Sequence, residues 1–168
     1  MISDVINSAE EVGITAIELN SEEQLDVQLN NLTRDSDAPV MLISWDYSTT
    51  ITFNNYGLLN NPITDFNCLL MGKAKQNIAE QKRDVAEEMG LLFQLFLQNL
   101  RHRLLSYRSG QVEPLTNAGW INLPSYGRGL HSGVQGRWSM ISRAANCDDI
   151  YPKQKGVGYD EIGSSSIK

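Results

Sequence analysis

His131, Ser132, Cys147, Asp148 and Asp149 fall within one stretch, LHSGVQGRWSMISRAANCDDIYP, from Leu130 to Pro152. Together they carry the side chains of nucleophilic catalysis: Ser132 or Cys147 to attack, His131 to take the proton, and Asp148 to orient the imidazole. The spacing argues against that chemistry. Val134, Gly136, Trp138 and Met140 alternate with Gln135, Arg137 and Ser139, which is the period of a strand, and neighbours on a strand point to opposite faces. His131 and Ser132 are therefore badly placed to hydrogen-bond each other, and LHSGV lacks the GxSxG pattern of a nucleophile elbow. The structural alternative is that His131 and Ser132 end a loop, Cys147 is a small buried hydrophobe, and Asp148 and Asp149 make a turn.

Other patterns suggest chemistry and fall short of it. The glycines of YGRGLHSGVQG resemble a phosphate loop, but the lysine and hydroxyl of GxxxxGK[ST] are missing and the stretch leads into a strand. Asp35 and Asp37, and Asp148 with Asp149, lack the ligand count of a calcium loop. Cys68 and Cys147, the two cysteines, have no CxxC or CxxH partner, so neither a zinc site nor a disulfide framework is indicated. His102 sits between Arg101 and Arg103, where it suits the C-terminal end of a helix dipole better than a metal. No catalytic, metal-ligating or cofactor-binding residue is expected, and no cofactor. The basic set Arg101, His102, Arg103 and Arg108, with Arg128, Arg137 and Arg143, could form a patch against nucleic acid. The alternative is that they pair with acidic groups on a neighbouring copy, because the chain carries both signs in excess at different places.

The elements that position these residues are legible from periodicity. Ile2, Val5, Ile6, Ala9 and Val12 fall at helical spacing, with Ser3 as a cap and Gly13 as a terminator. ITAIEL reads as a short strand. NSEEQLDVQLNNL reads as a second short helix with Ser21 and Gln24 at capping-box spacing. VMLISWDYSTTITFNNYG reads as two strands with Trp45, Asp46 and Tyr47 near the turn between them, and DFNCLLMG as a further strand that puts Cys68 in the sheet. Val85, Met89, Leu92, Phe96, Leu100 and Leu104 form a continuous stripe, so KQNIAEQKRDVAEEMGLLFQLFLQNLRHRLLSYRSG predicts a long helix across a sheet, stopped at Gly110. TNAGWINLP and SGVQGRWSMIS return as strands. The fold class is thus α+β: an antiparallel or mixed sheet against one long amphipathic helix, with two short N-terminal helices.

Composition bounds the rest. The 168 residues suit one domain, and the net charge of -6 repels phosphate overall. The opening MISDVINSAEEVGI has no basic region followed by an apolar run, so no signal peptide is expected. The longest apolar run is interrupted by Gln94, Gln98 and Asn99 and is not expected to span a bilayer, so no membrane partner is anticipated. Beyond Cys147 the apolar residues become too sparse for a core. Residues 1–151 are read as the domain and 152–168 as an extended C-terminal arm that docks on another chain through Tyr151, Tyr159 and Ile162. With Arg128 and Arg137, these are the expected subunit-interface residues.

The order of elements, closed by LHSGVQGRWSMISRAANCDDIYP, resembles small tail-completion or tail-terminator-like proteins of Bacteroidetes phages, including the ring proteins of crAss-like phages. Leu130, Ser132, Gly133, Val134 and Cys147 carry the match, with His131 intervening, and it spans Ala38 to Tyr151. The SEEQLDVQLNNL helix and the PSYGRG loop depart from its plainest form. The resemblance implies a virion subunit made in the host cytoplasm, assembled in cyclic copies around the DNA channel of a head-to-tail connector or tail ring. Its partners would be copies of itself, neighbouring portal, connector or tail proteins, and DNA held non-specifically in the channel. Two other classes stay open: an intracellular module docking a single partner, and a hydrolase using His131.

Overall fold

The computed structural model describes residues 2–35, 39–44, 46–53, 55, 56, 60–75, 78–106, 113–124 and 131–141. In chain order the elements are α1 (Ile2–Glu11), β1 (Thr15–Glu18), α2 (Glu22–Asp35), β2 (Val40–Ile43), β3 (Ser48–Thr50), β4 (Ile63–Lys73), α3 (Ala79–Ser106), β5 (Leu115–Leu123) and β6 (His131–Ile141). The strands form one six-stranded mixed sheet in the order β1-β2-β4-β6-β5, with β3 also on β4. Among the described residues only β1 and β2 are parallel. They are joined through α2, the crossover that a parallel pair requires.

Local chemistry sets the helix ends. Gly13 takes φ 82° after α1, and the Ile14 amide donates to the Ala9 carbonyl while the Gly13 amide donates to that of Glu10. This pair of bonds is a Schellman stop, which satisfies the last carbonyls of the helix and favours glycine. At the start of α2 the Gln24 amide donates to Ser21 Oγ at 3.3 Å, while Gln24 Oε1 accepts from the Asn20 amide at 2.6 Å. The capping box is present, with its return bond made one residue earlier than the usual form.

The two faces of the sheet are covered unequally. Met41, Ile43, Phe66, Cys68, Leu70, Val134, Trp138 and Met140 point toward α1 and α3 and form the main core with Val5, Ala9, Met89, Phe93, Phe96 and Leu100. On the opposite face Leu19, Val40 and Leu42 pack with Leu25 and Leu29 of α2. That helix lies over the β1-β2 side. The predicted stripe of α3 is shifted: Met89, Phe96, Leu100 and Leu104 are buried, but Val85 and Leu92 lie at the margin and Phe93 is wholly buried. Phe93 occupies the space left by Gly136, where an added Cβ would come within 2.5 Å of its ring.

β2 and β3 do not form the hairpin that the turn near Asp46 and Tyr47 suggests. Both run antiparallel to β4 along the same side. Ile43 pairs with Cys68 and Ser48 with Asp65, so Ser44, Asp46 and Tyr47 lie on a stretch of chain longer than the Phe66–Asn67 stretch it faces. The chain swells into a bulge between two segments of one line. Tyr47 is carried onto Phe66, with ring centroids 5.3 Å apart, and Phe66 stacks in turn on Trp138.

A polar clasp joins α1 to α3. Asn99 Nδ2 donates to Glu11 Oε2 at 2.7 Å and to the Ser8 carbonyl at 3.2 Å, and Arg103 pairs with Glu11 Oε1. The Asn99 hydrogen bond, followed by the charge of Arg103, holds the Glu11 carboxyl below its ordinary range. A carboxyl depressed by folding stabilises the folded state above its unfolded pKa, and that contribution disappears as pH falls through the folded value. Glu11→Gln should therefore melt below the wild type at neutral pH, and the two melting curves should converge in acid. A gap that persists unchanged at low pH would show that the ionised form of Glu11 is not what matters.

Candidate functional site

Cross-strand register puts Asp65 and Asn67 of β4, Gln135, Arg137 and Ser139 of β6, and Thr116, Gly119 and Ile121 of β5 on the face opposite the main core. Among the described residues no helix covers this part of the sheet; α2 stops over β1 and β2. Beside α2 lies a cleft of about 400 Å³ lined by Leu19, Leu25, Leu42, Asp46, Asn67 and Gln135. A second, of about 490 Å³, is lined by Asp65, Asn67, Asn117, Arg137 and Ser139. Ser139 Oγ donates to Asp65 Oδ1 at 2.5 Å across the β4-β6 pair. The other polar side chains here, Asn67, Gln135 and Arg137, are exposed. Such a surface is open and of mixed polarity.

The outer limit of this face is β5, whose far edge has no partner strand among the described residues. None of its residues is charged, and Trp120 and Ile121 are 42% and 66% exposed. Trp120 is split in role. One side of its ring meets Phe93 edge-on at 6.1 Å and rests on α3 at Gly90, while the rest faces solvent. Its seat depends on Gly90, because a Cβ there would fall 2.8 Å from Trp120 Nε1. The bulge at Asn117, with φ 52°, interrupts the β5-β6 register before Gly119.

Of the residues nominated for hydrolysis, the structure describes His131 and Ser132. His131 and Ser132 do not end a loop; they open β6, paired with Lys73 and Gly72. Their side chains take opposite faces of the sheet, and Ser132 is wholly buried on the helix-covered side, where no substrate reaches it. Cys147, Asp148 and Asp149 lie outside the described residues, as do Arg128, Tyr151, Tyr159 and Ile162 among the expected interface residues, and the arm 152–168. Arg137 is the expected interface residue that the structure does place, at the centre of the open face. Among the described residues no three His, Cys, Asp or Glu side chains gather where they could hold a metal ion, and no helix is long and apolar enough to cross a membrane. Cys68 is buried in the core, and desolvation pushes its thiol up to about 12. It stays a neutral thiol, not a nucleophile.

Of the basic groups, Arg101 and Arg103 pair with acids of their own chain, and Arg108, Arg128 and Arg143 lie outside the described residues. Arg101 Nε donates to Glu113 Oε1 at 2.8 Å and Arg101 Nη2 to Glu113 Oε2 at 2.8 Å. This forked pair raises the Arg101 pKa and lowers that of Glu113. Arg103 is held by Glu11 of its own chain. Both are therefore paired with a carboxylate of their own chain. Arg137 has no carboxylate partner among the described residues.

The hairpin of β3 and β4 adds a second exposed apolar surface. The Asn60 amide donates to the Thr52 carbonyl and Asn60 Nδ2 to Thr52 Oγ1, which carries the pairing past β3. Ile51, Phe53 and Tyr56 are exposed, at 55%, 67% and 88%.

No protein-family model matches the chain, and no curated protein matches it.

Proposed function

We propose that the protein is a structural subunit that assembles with copies of itself, and that its setting is the head-to-tail connector or tail ring implied by the resemblance to phage tail-completion proteins. The observation that carries this reading is β5, an edge strand of nine residues without a charge and with Trp120 and Ile121 exposed. Soluble monomers blunt such edges with lysine, proline or a covering element, because unpaired N–H and C=O groups beside apolar side chains recruit another strand. Here the charges nearby are Arg137, one strand inward, and Glu113, which is paired with Arg101 before the strand begins. The edge is suited to a partner that covers it, and in a ring the covering surface is another subunit.

An assembly part needs no catalytic cluster. Its work is done by interfaces, and the overall negative charge of such a subunit keeps it from gripping DNA that passes through a channel. Mass photometry of the purified protein across concentration, alone and with the portal complex of its own particle, tests the reading. Oligomers of defined stoichiometry are expected, as is a copy number in purified particles that is a fixed multiple of the portal. A monomer under both conditions, missing from particles, would sink it.

A further inference from the structure

β6 ends at the rim of the open sheet face. Ile141 pairs with Ile63 at the start of β4, and the Ile141 amide donates to the Pro114 carbonyl just before β5. Residues 142–168 continue from that point and lie outside the described residues. Away from Ile141 the face changes character in a fixed order. Arg137 comes first, at the cleft that it shares with Asp65, Asn67 and Ser139. Beyond it, with Asn67 bordering both, is the cleft of about 400 Å³ walled by Leu19, Leu25, Leu42, Leu69 and Leu123. The far side of that cleft is acidic: Asp46 lines it, and Glu22 and Glu23 open α2 just before Leu25. A basic group, an apolar cleft and an acidic wall thus follow one another.

The chain that follows β6 has the complementary order. After SRAAN it reads CDDIYPKQK: the acids Asp148 and Asp149, the apolar pair Ile150 and Tyr151, and the bases Lys153 and Lys155. We infer that residues 142–153 fold back over the open face of their own sheet as an extended strap, with Asp149 on Arg137, Tyr151 in the leucine-lined cleft and Lys153 against its acidic wall. The inference goes beyond the assembly reading and does not depend on it. It gives Tyr151 to its own subunit and leaves Tyr159 and Ile162 to the arm that meets a neighbour.

Reach and conformation agree with this path. Arg137 lies four residues, roughly 13 Å, back along β6 from Ile141. The stretch from Ile141 to Asp149 spans at most ~28 Å when extended. It can turn over SRAAN and return to Arg137, a length that suits its own face better than a neighbour's. Tyr151 precedes Pro152, which biases it to extended backbone. Alternate residues of an extended chain share a side, so Asp149, Tyr151 and Lys153 face the sheet together. Arg137 has no carboxylate partner among the described residues, and Asp65 nearby on β4 is engaged by Ser139 Oγ. A buried tyrosine needs a partner for its hydroxyl, and the exposed amides of Asn67 and Gln135 border the cleft.

Hydrogen exchange of the full chain, diluted until mass photometry shows monomers, tests the inference. Amides from Cys147 to Lys153 should exchange at least about ten-fold more slowly than in a synthetic peptide of residues 142–155. Arg137→Asp and Asp149→Arg should each bring exchange back toward the peptide rate, and the double swap should restore the protection. Tyr151→Ala, which lies beyond β6 and leaves every described strand intact, should also lose it. Peptide-like exchange in the wild-type monomer would overturn the inference, and so would a double swap no better than the singles. Protection that appears only as the protein oligomerises would overturn it in favour of a segment seated on a second copy. Protection in a chain that never assembles would uphold the strap and remove the ring reading.

Discussion

Gly133→Ala is expected to be the most damaging small substitution in the molecule. Gly133 lies in β6 between Met71 of β4 and Leu123 of β5. A Cβ built on it would sit 1.9 Å from the Leu70 carbonyl oxygen and 2.9 Å from Met71 Cα. Both are backbone atoms of the adjacent strand, so no rotamer change relieves the overlap. The longest ladder in the sheet, which pairs β4 with β6 from Ile63 to Lys73, would have to part locally. Overpacking of a core ordinarily costs ~1 to 3 kcal/mol, and a clash with backbone should lie at or beyond the top of that range. For a chain of this size such a loss lowers Tm on the order of 10 °C. Gly119→Ala is the control, since nothing lies within 4 Å of the added carbon, and it should melt close to wild type. Differential scanning calorimetry of the two variants decides the matter; equal melting temperatures would mean that the close approach at Gly133 does not exist in solution.

Phe96→Ala should cost nearly as much by the opposite mechanism. Phe96 is wholly buried, meets Trp138 edge-on at 5.4 Å and lies 5.8 Å from the Phe93 ring. Removing it leaves a cavity between α3 and the centre of the sheet, and such truncations typically cost ~3 to 5 kcal/mol. Urea denaturation should show a lower midpoint with an unchanged slope, the sign of lost stability without a changed denatured state. Gln98, two residues along, is exposed, and Gln98→Ala should stay within about 0.5 kcal/mol of wild type. Comparable losses from both would mean that α3 presents a different face to the sheet.

The interface reading and these stability predictions are separable. Gly133 and Phe96 act inside one subunit, whereas Ile121 and Asn122 on the β5 edge are exposed. Substitutions of the first kind should lower melting temperature in a monomer as much as in an assembly. Those of the second should move oligomeric state alone.

Periodicity and turn chemistry by themselves determined the α+β class, the three helices, Gly13 as the stop of α1, the Ser21 cap of α2, Cys68 in the sheet and the alternation of β6. Each is a local property, decided by residues within a turn of helix or a few positions of strand, so short-range spacing suffices to read it. Tertiary structure alone decided the rest. Residues 44–47 look like a turn because Asp46 and Tyr47 break an apolar run, yet β4 holds the segments on both sides in line, and only the ladder with Cys68 and Asp65 reveals a bulge. Phe93 lies beside the stripe that helical spacing picks out, and it is buried because Gly136, more than forty positions away, leaves a space for its ring. Arg101 and Arg103 look like binding groups until the fold brings Glu113 and Glu11 to them. Arg137, by contrast, was recognisable as an interface candidate, but its place beside a bare Gly119 and an uncharged edge came from strand order. Which edges remain open depends on how distant strands pair, and the long-range contacts that decide pairing leave no trace in the spacing of neighbouring residues.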